Sequence, residues 1–160
     1  MKIEAKLAEL GLVLPEPLVQ PPGARLPFPW VRIRGQRAFI SGHSGQLPDG
    51  SLAGPFGKVG AEVSQEQAYE LARLTALAIL GSLKRALGDL DRVTAWLRVF
   101  GMVNSAPDFS RQPAVINGFS DTILAVYGEE AGMHARSAVG MASLPFNIAV
   151  EIEAEVELDG

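Results

Sequence analysis

The strongest hydrophobic pattern in the chain is helical and extends from Ser64 to Gly88. Ser64 and Gln67 have the spacing of a capping box, in which each side chain bonds the backbone amide of the other residue. Apolar positions then recur every three or four residues, which predicts a helix with a broad apolar face that ends at Gly88. This face consists of Ala68, Leu71, Ala72, Thr75, Ala78, Ile79, Leu83 and Leu87. Its alanines favour close packing against a flat surface such as a sheet.

Shorter patterns on either side predict strands and a second long helix. The segment "VRIRGQRAFISG" (31–42) is typical of a β-hairpin, because two alternating runs flank a glycine-containing turn. Two further strands are predicted at about 135–142 and 148–158. Pro113 suits the first turn of a helix and Gly128 suits its end, so a helix is predicted between them.

A long strand is predicted at "VTAWLRVFGMV" (93–103), where the side chains alternate strictly. Alternation places Val93 and Val99 on one face, which suits contact with helices. It places Trp96 and Phe100 on the other face. Large aromatic groups are an unusual choice for a solvated surface but a natural one for a partner subunit.

The order of elements is hairpin, helix, strand, helix, strand, strand. This order predicts an α+β sandwich in one domain (1–160), with one mixed sheet and two helices packed on one of its faces. Residues 1–27 are expected to form a short amphipathic helix and a proline-rich lead-in, and 28–158 the core. No third layer remains to cover Trp96 and Phe100, so the opposite sheet face is predicted to lie in a subunit interface.

Composition excludes several classes of function. The chain has 14 basic and 18 acidic residues and no cysteine. The net negative charge disfavours nucleic acid, and thiolate chemistry is excluded. His43 and His134 are the only histidines and have no second ligand at a useful spacing, so no metal site is expected. No membrane segment or signal peptide is recognisable, and a cytoplasmic protein is expected.

The candidate chemistry lies near the end of the chain. Arg136 stands among small residues in "HARSAVG", where its planar guanidinium suits a carboxylate or phosphate. An intersubunit salt bridge explains Arg136 equally well. Glu151 follows the apolar stretch "FNIAV", so its carboxylate needs a cation such as Arg136 or Arg98. Glu155 and Glu157, farther along the same face, are typical of a solvated sheet edge.

The closing segment "RSAVGMASLPFNIAVEIEAEV" (136–156) resembles the closing signature of the YjgF/Rid family. These proteins are reactive-intermediate (imine/enamine) deaminases, and older members were labelled endoribonuclease L-PSP. "AFISGHSG" (38–45) and "LGDLDRVTAWLRVFGMV" (87–103) are similar to earlier parts of the same family. "VNSAPDF" and "QPAVING" resemble its longer branch. The resemblance covers about residues 28–158.

The resemblance implies a chorismate-mutase-like fold and a homotrimer with pockets between neighbouring subunits. It also implies hydrolysis of a 2-imino acid to a 2-keto acid and ammonia, without a cofactor. Arg136 matches the arginine that grips the substrate carboxylate, and Glu151 matches the glutamate that positions the attacking water. Ser41 and Asn117 match pocket-lining positions.

Two positions depart from the family pattern. Phe28 stands where an aromatic hydroxyl is often found, and Ala138 stands where many members have cysteine. Three functions are therefore consistent with the sequence. The first is imine or enamine deamination, the second is binding of a small carboxylate or metabolite by a non-catalytic trimer, and the third is RNA cleavage.

Overall fold

The computed structural model describes residues 1–160 and contains three α-helices and five strands. The helices are α1 (Lys2–Glu9), α2 (Gln65–Leu87) and α3 (Gln112–Gly132). The strands are β1 (Val31–Arg34), β2 (Arg37–His43), β3 (Val93–Asn104), β4 (Ala135–Met141) and β5 (Val150–Leu158). Two single turns of 3-10 helix lie at Leu90–Arg92 and Pro145–Asn147. No helix combines the length and the apolarity needed to cross a bilayer.

The strands form one mixed sheet in the order β1-β2-β5-β3-β4. All neighbours are antiparallel except β3 and β4, which are parallel because α3 connects them. The predicted α+β class, the mixed sheet and the packing of the two long helices on one face are confirmed. The predicted capping box of α2 is also present, with Ser64 and Gln67 bonded to each other.

The buried core lies between the sheet and the two long helices. Alternate residues of β5 point into it, and those between them point to the opposite, open face of the sheet. The inward set is Val150, Ile152, Ala154, Val156 and Leu158, as the alternation predicted. Glu151 is therefore held on the open face by the burial of its neighbours.

The predicted position of Trp96 on the open face is wrong. Its side chain is 1% exposed and packs edge-on against Phe119 and Tyr127 in the core. The register of β3 against β5 shifts twice, between Val93 and Ala95 and again between Trp96 and Arg98. An inserted residue turns the side chains that follow it to the other face, so the first shift turns Trp96 inward and the second restores the predicted alternation. Phe100 lies beyond both shifts and faces the open side, with Arg98 and Phe39.

The predicted sheet edge at Glu155 and Glu157 is also wrong, because β5 is the central strand. Both side chains lie on its open face and have partners there. Arg37 Nη1 donates to Glu155 Oε1 at 2.8 Å, and Thr94 Oγ1 donates to Glu157 Oε1 at 2.9 Å. They are surface groups, but they do not protect an edge from strand pairing.

Helix α3 lies unusually close to its neighbours at two glycines. A Cβ at Gly101 of β3 would stand 2.6 Å from Ile116 of α3, and a Cβ at Gly118 would overlap the carbonyl oxygen of Tyr69 in α2. The α3 backbone turns at Gly128, which has φ 76°, so the predicted helix end is confirmed and one further turn follows it. These two close contacts fix the position of α3 relative to β3 and α2.

The Gly118→Ala substitution is expected to destabilise the protein by about 3 kcal/mol. Alanine is the better helix former by about 1 kcal/mol, but the overlap with the Tyr69 carbonyl forces two helices apart, and overpacking costs more than propensity returns. Urea unfolding of both proteins measures the difference. Glu130→Ala, an exposed change in the same helix, is the control. An unchanged or higher midpoint for Gly118→Ala contradicts the close helix contact.

Candidate functional site

The largest cavity lies on the open side of the sheet and has a volume of about 610 Å³. Its walls come from the proline-rich lead-in (residues 14–30), the end of β2, and the turn before β5. Glu151 is the only lining residue with a formal charge. The lining consists of Leu18, Val19, Gln20, Pro21, Pro22, Ala24, Leu26, Phe28, Trp30, Gly42, His43, Ser44, Leu52, Pro145, Phe146, Ile148 and Glu151.

Glu151 projects from β5 against the backbone of Gly42. A Cβ at position 42 would lie 2.5 Å from Glu151 Oε2, so the carboxylate occupies the space that any other residue would fill. The side chain is half-buried and makes no hydrogen bond or ion pair within the chain. Burial raises the pKa of Glu151, and the negative charge of Glu153 raises it further. A carboxylate in this state is suited to accept a proton from a bound water or to face a cation.

The lead-in is attached to the body of the protein by backbone hydrogen bonds. Glu16 N donates to Pro48 O at 2.9 Å, and Val19 N donates to Gly50 O at 3.0 Å. At the other end, Ser41 Oγ donates to Pro29 O at 2.8 Å. The lead-in is therefore a fixed wall of the cavity. Ser41, predicted to line the pocket, holds the segment that carries Phe28 and Trp30.

His43 closes the inner end of the cavity as a neutral imidazole. Its Nδ1 lies 2.6 Å from Ser41 O and its Nε2 lies 2.8 Å from Ser82 Oγ. Because a carbonyl oxygen only accepts, Nδ1 carries the hydrogen and Nε2 accepts from Ser82. Burial lowers the pKa of His43 to about 4. Both ring nitrogens are occupied, so His43 offers a ligand an aromatic surface rather than a free donor.

The mouth of the cavity carries an exposed phenylalanine in an unusual backbone conformation. Phe146 and Asn147 have φ angles of 56° and 57°, in the left-handed region that residues other than glycine rarely adopt. The buried Asn104 holds the turn in place, since its Nδ2 donates to Ile148 O at 3.2 Å and to Asn147 Oδ1 at 3.3 Å. The Phe146 side chain is 72% exposed at this rim.

Arg136 lies at a second place, where β4 meets α3. Its Nη1 donates to Ser120 Oγ at 3.0 Å and its Nη2 donates to Pro113 O at 3.2 Å. Ser120 in turn donates to His134 Nε2 at 2.9 Å, and His134 Nδ1 donates to Gly132 O at 2.7 Å. Burial lowers the pKa of Arg136, yet an arginine remains charged at neutral pH. Two of its five N–H groups are used, and the others are available to an anion.

Asn117 belongs to the same group as Arg136. It lies on α3 four residues after Pro113 and three before Ser120, so the three occupy one helix face. Its side chain is exposed and bonds no other residue of the chain. The sequence predicted Arg136 and Asn117 as candidate site residues, but it did not predict the contacts of Ser120 and His134 with this group. The helical spacing of 113, 117 and 120 is the signal that points to Ser120.

Arg136 and Glu151 lie on opposite faces of the sheet within one chain. Arg136 pairs with Val99 of β3, which faces the helices, whereas Glu151 pairs with Met102 of β3, which faces the open side. Strand β3 separates β4 from β5, so the two backbones are about 10 Å apart across the sheet alone. Neither Arg136 nor Arg98 of the same chain pairs with Glu151, so the predicted cation partner is not supplied within one chain.

The cavity lining contains no cluster of side chains that could bind a metal ion. The only three carboxylates close enough to share an ion are Glu4, Asp89 and Asp91, which lie within 4.8 Å of one another away from the cavity. Lys84 Nζ contacts Glu4 at 2.7 Å, and the amino group of Met1 contacts Asp91 at 2.6 Å. These charges are already compensated.

Comparison with known proteins agrees with the fold. Residues 4–157 match the family described as "YjgF/chorismate_mutase-like, putative endoribonuclease". The Trypanosoma cruzi protein TCP17 is 48% identical over 117 residues, which cover 72% of this chain and 73% of TCP17. The Agrobacterium tumefaciens protein Atu1372 has a similar structure, with a TM-score of 0.86 and 41% identity over 99% of this chain and 92% of that one.

A candidate endoribonuclease from Shewanella oneidensis is equally similar in structure. Its TM-score is 0.86, with 30% identity over 98% of this chain and 99% of that chain. The match extends through the lead-in, the sheet and both long helices. The family match over nearly the whole chain and the shared fold agree with the resemblance of the closing segment, so this chain belongs to the YjgF/Rid family.

Proposed function

We propose that the protein is a hydrolytic deaminase of 2-imino acids or their enamines, and that its active site is assembled from two subunits of a homotrimer. One subunit supplies Glu151 and the cavity with Phe28, and its neighbour supplies Arg136 and Asn117. The single observation that carries the proposal is the unpaired, half-buried carboxylate of Glu151 on the wall of a largely apolar cavity. An unpaired, half-buried carboxylate lowers the stability of the folded protein, so its presence here favours a role in a reaction.

The reaction follows from the charges of the two halves. Arg136 binds the substrate carboxylate through its free N–H groups and presents the C=N carbon to a water held by Glu151. The water oxygen attacks that carbon while its proton passes to Glu151 and on to the nitrogen. Glu151 then takes the hydroxyl proton of the resulting carbinolamine and passes it to the amino nitrogen, so that a C=O bond forms as the C–N bond breaks and ammonia leaves. No cofactor is needed.

The same charges argue against RNA cleavage, which the family description and one structural relative suggest. The cavity offers a polyanion one carboxylate and no cation from its own chain. The chain as a whole has a net charge of −4. Phosphodiester binding needs basic groups to displace counterions. We therefore expect no RNA cleavage that depends on Glu151.

The direct test is to generate a 2-imino acid in place from an amino acid and follow release of the 2-keto acid and ammonia. Faster release with the protein than without it supports deamination. Thermal stabilisation by a 2-keto acid without turnover instead indicates a non-catalytic protein that binds a small carboxylate. Absence of both effects contradicts the proposal.

The Ser120→Ala variant is expected to raise KM about 10-fold while leaving kcat within about two-fold of wild type. Ser120 bonds the Arg136 guanidinium and itself makes no contact with the cavity, so its loss weakens carboxylate binding without altering the water. Steady-state kinetics with an in-place imine measure both constants.

Two further variants make this test specific. Ser120→Thr retains the hydroxyl and is expected to recover the wild-type KM. Ser110→Ala removes an exposed hydroxyl that bonds nothing, and it controls for the loss of a serine near α3. A Ser120→Ala variant that loses kcat and thermal stability with KM unchanged contradicts a positioning role.

A further inference from the structure

We infer, on the basis of the deamination proposed above, that the cavity selects 2-imino acids with large apolar side chains, either branched aliphatic or aromatic, over small and acidic ones. The reacting carbon must lie beside Glu151. The carboxylate must point away from the cavity toward the neighbour's Arg136, because no cation lines the cavity. The remaining space is then occupied by the substrate side chain.

The volume of the cavity exceeds the needs of a three-carbon acid. Cavities of about 300–1,000 Å³ hold ligands of drug size, and this one measures about 610 Å³. A small imino acid would leave most of the apolar wall in contact with water. A branched or aromatic side chain would cover that wall and gain binding energy in proportion to the area removed from water.

The wall offers few groups to a polar side chain, since Gln20 and Ser44 are the only lining residues with an uncharged polar side chain apart from His43. His43 uses both ring nitrogens within the protein, and Glu151 is the only charge. A second carboxylate on the substrate would face Glu151 across an apolar space without a cation between them, and this arrangement is strongly unfavourable. Imines of acidic amino acids are therefore disfavoured by charge as well as by the loss of hydration.

The apolar wall is rigid and partly aromatic. Phe28 and Trp30 meet edge to face with ring centroids 5.7 Å apart, and Trp30 packs against His43 at 5.0 Å. Phe146 stands at the rim, held there by its turn. Rings already fixed in place lose little freedom on binding, so they favour a flat or branched apolar partner.

The experiment compares kcat/KM for the imines of leucine, phenylalanine, alanine and glutamate, each generated in place. Leucine and phenylalanine imines are expected to exceed alanine imine by about 100-fold or more, and glutamate imine to be slower than alanine imine. Similar values for all four overturn the inference, while the proposed deamination stands.

A matched pair of variants ties the preference to the cavity. Val19 lines the cavity and Val13 does not, although both belong to the same stretch of chain and are 63% and 64% exposed. Val19→Asp is expected to lower the ratio of leucine to alanine turnover about 10-fold. Val13→Asp adds the same charge and is expected to leave the ratio unchanged. Equal effects of the two variants contradict the assignment.

A binding measurement keeps the inference testable if no imine is hydrolysed. Thermal shift is then measured with pyruvate, 2-oxoglutarate, 4-methyl-2-oxopentanoate and phenylpyruvate. Stabilisation by the last two alone retains the selectivity of the cavity and removes the deamination. Equal stabilisation by all four, or by none, overturns the inference.

Discussion

The Glu151→Gln variant is expected to lower kcat about 10²–10⁴-fold and to raise thermal stability at neutral pH. The rate falls because glutamine cannot take a proton from the attacking water, and general-base contributions are of this size. Stability rises because the variant no longer keeps a desolvated carboxylate without a partner. Few substitutions are expected to change activity and stability in opposite directions, so the pair of measurements is diagnostic.

The stability gain has a defined pH dependence. Burial raises the pKa of Glu151 in the folded protein above its ordinary value of 4.5. The folded state therefore binds more protons than the unfolded state above that value, and wild-type stability falls as pH rises from about 4.5 through the raised pKa. Glutamine does not titrate, so the variant lacks this decline. Urea unfolding of both proteins between pH 4 and pH 8 measures the difference.

Glu157→Gln is the matched control for these experiments. Glu157 lies on the same strand and face, but it is exposed and bonded to Thr94. It should keep wild-type activity and show no comparable gain in stability. Wild-type turnover by Glu151→Gln rules out the proposed base. Loss of activity with a loss of stability would mean that Glu151 supports the fold instead.

Local sequence patterns predicted the elements of the fold but not their order in the sheet. The capping box at Ser64 and the alternation of β5 depend on near neighbours, so they were read correctly. The central place of β5 depends on pairing with strands far away in the chain, and no local pattern reports it. The predicted orientation of Trp96 was wrong for a related reason. An inserted residue in β3 shifts the alternation, and no residue type signals the insertion.

In the candidate site, too, local sequence predicts the residues but not their placement. Glu151 and Arg136 are recognisable by residue type in the closing segment, but their placement on opposite faces follows from the sheet order alone. The lead-in was recognisable from its prolines, which forbid helix. Its docking as a cavity wall depends on backbone bonds to Pro48 and Gly50, which residue types do not encode. A homotrimer with shared pockets remains a prediction of the family resemblance.

Co-assembly of two inactive variants is expected to restore activity. Arg136→Ala alone should lower kcat/KM about 100-fold, since a charge-assisted contact with the substrate carboxylate is lost. Glu151→Gln alone lacks the base. In a mixed trimer, a site is intact wherever a subunit with Glu151 meets a neighbour with Arg136. A trimer that contains both variants has one intact site out of three, so mixed trimers isolated through both tags should recover about a third of wild-type activity.

The experiment requires proof that mixed oligomers form. The two variants are co-expressed with different tags, purified through both tags in succession, and their mass in solution is measured by light scattering. The double variant, with both changes in one chain, is the control, because its trimers contain no intact site and should stay inactive. Mixed trimers that remain as inactive as the single variants contradict a site shared between subunits. Because Arg136 and Glu151 face opposite sides of one sheet, a single chain offers no alternative way for both to reach one small substrate, and that result would remove the mechanism as well.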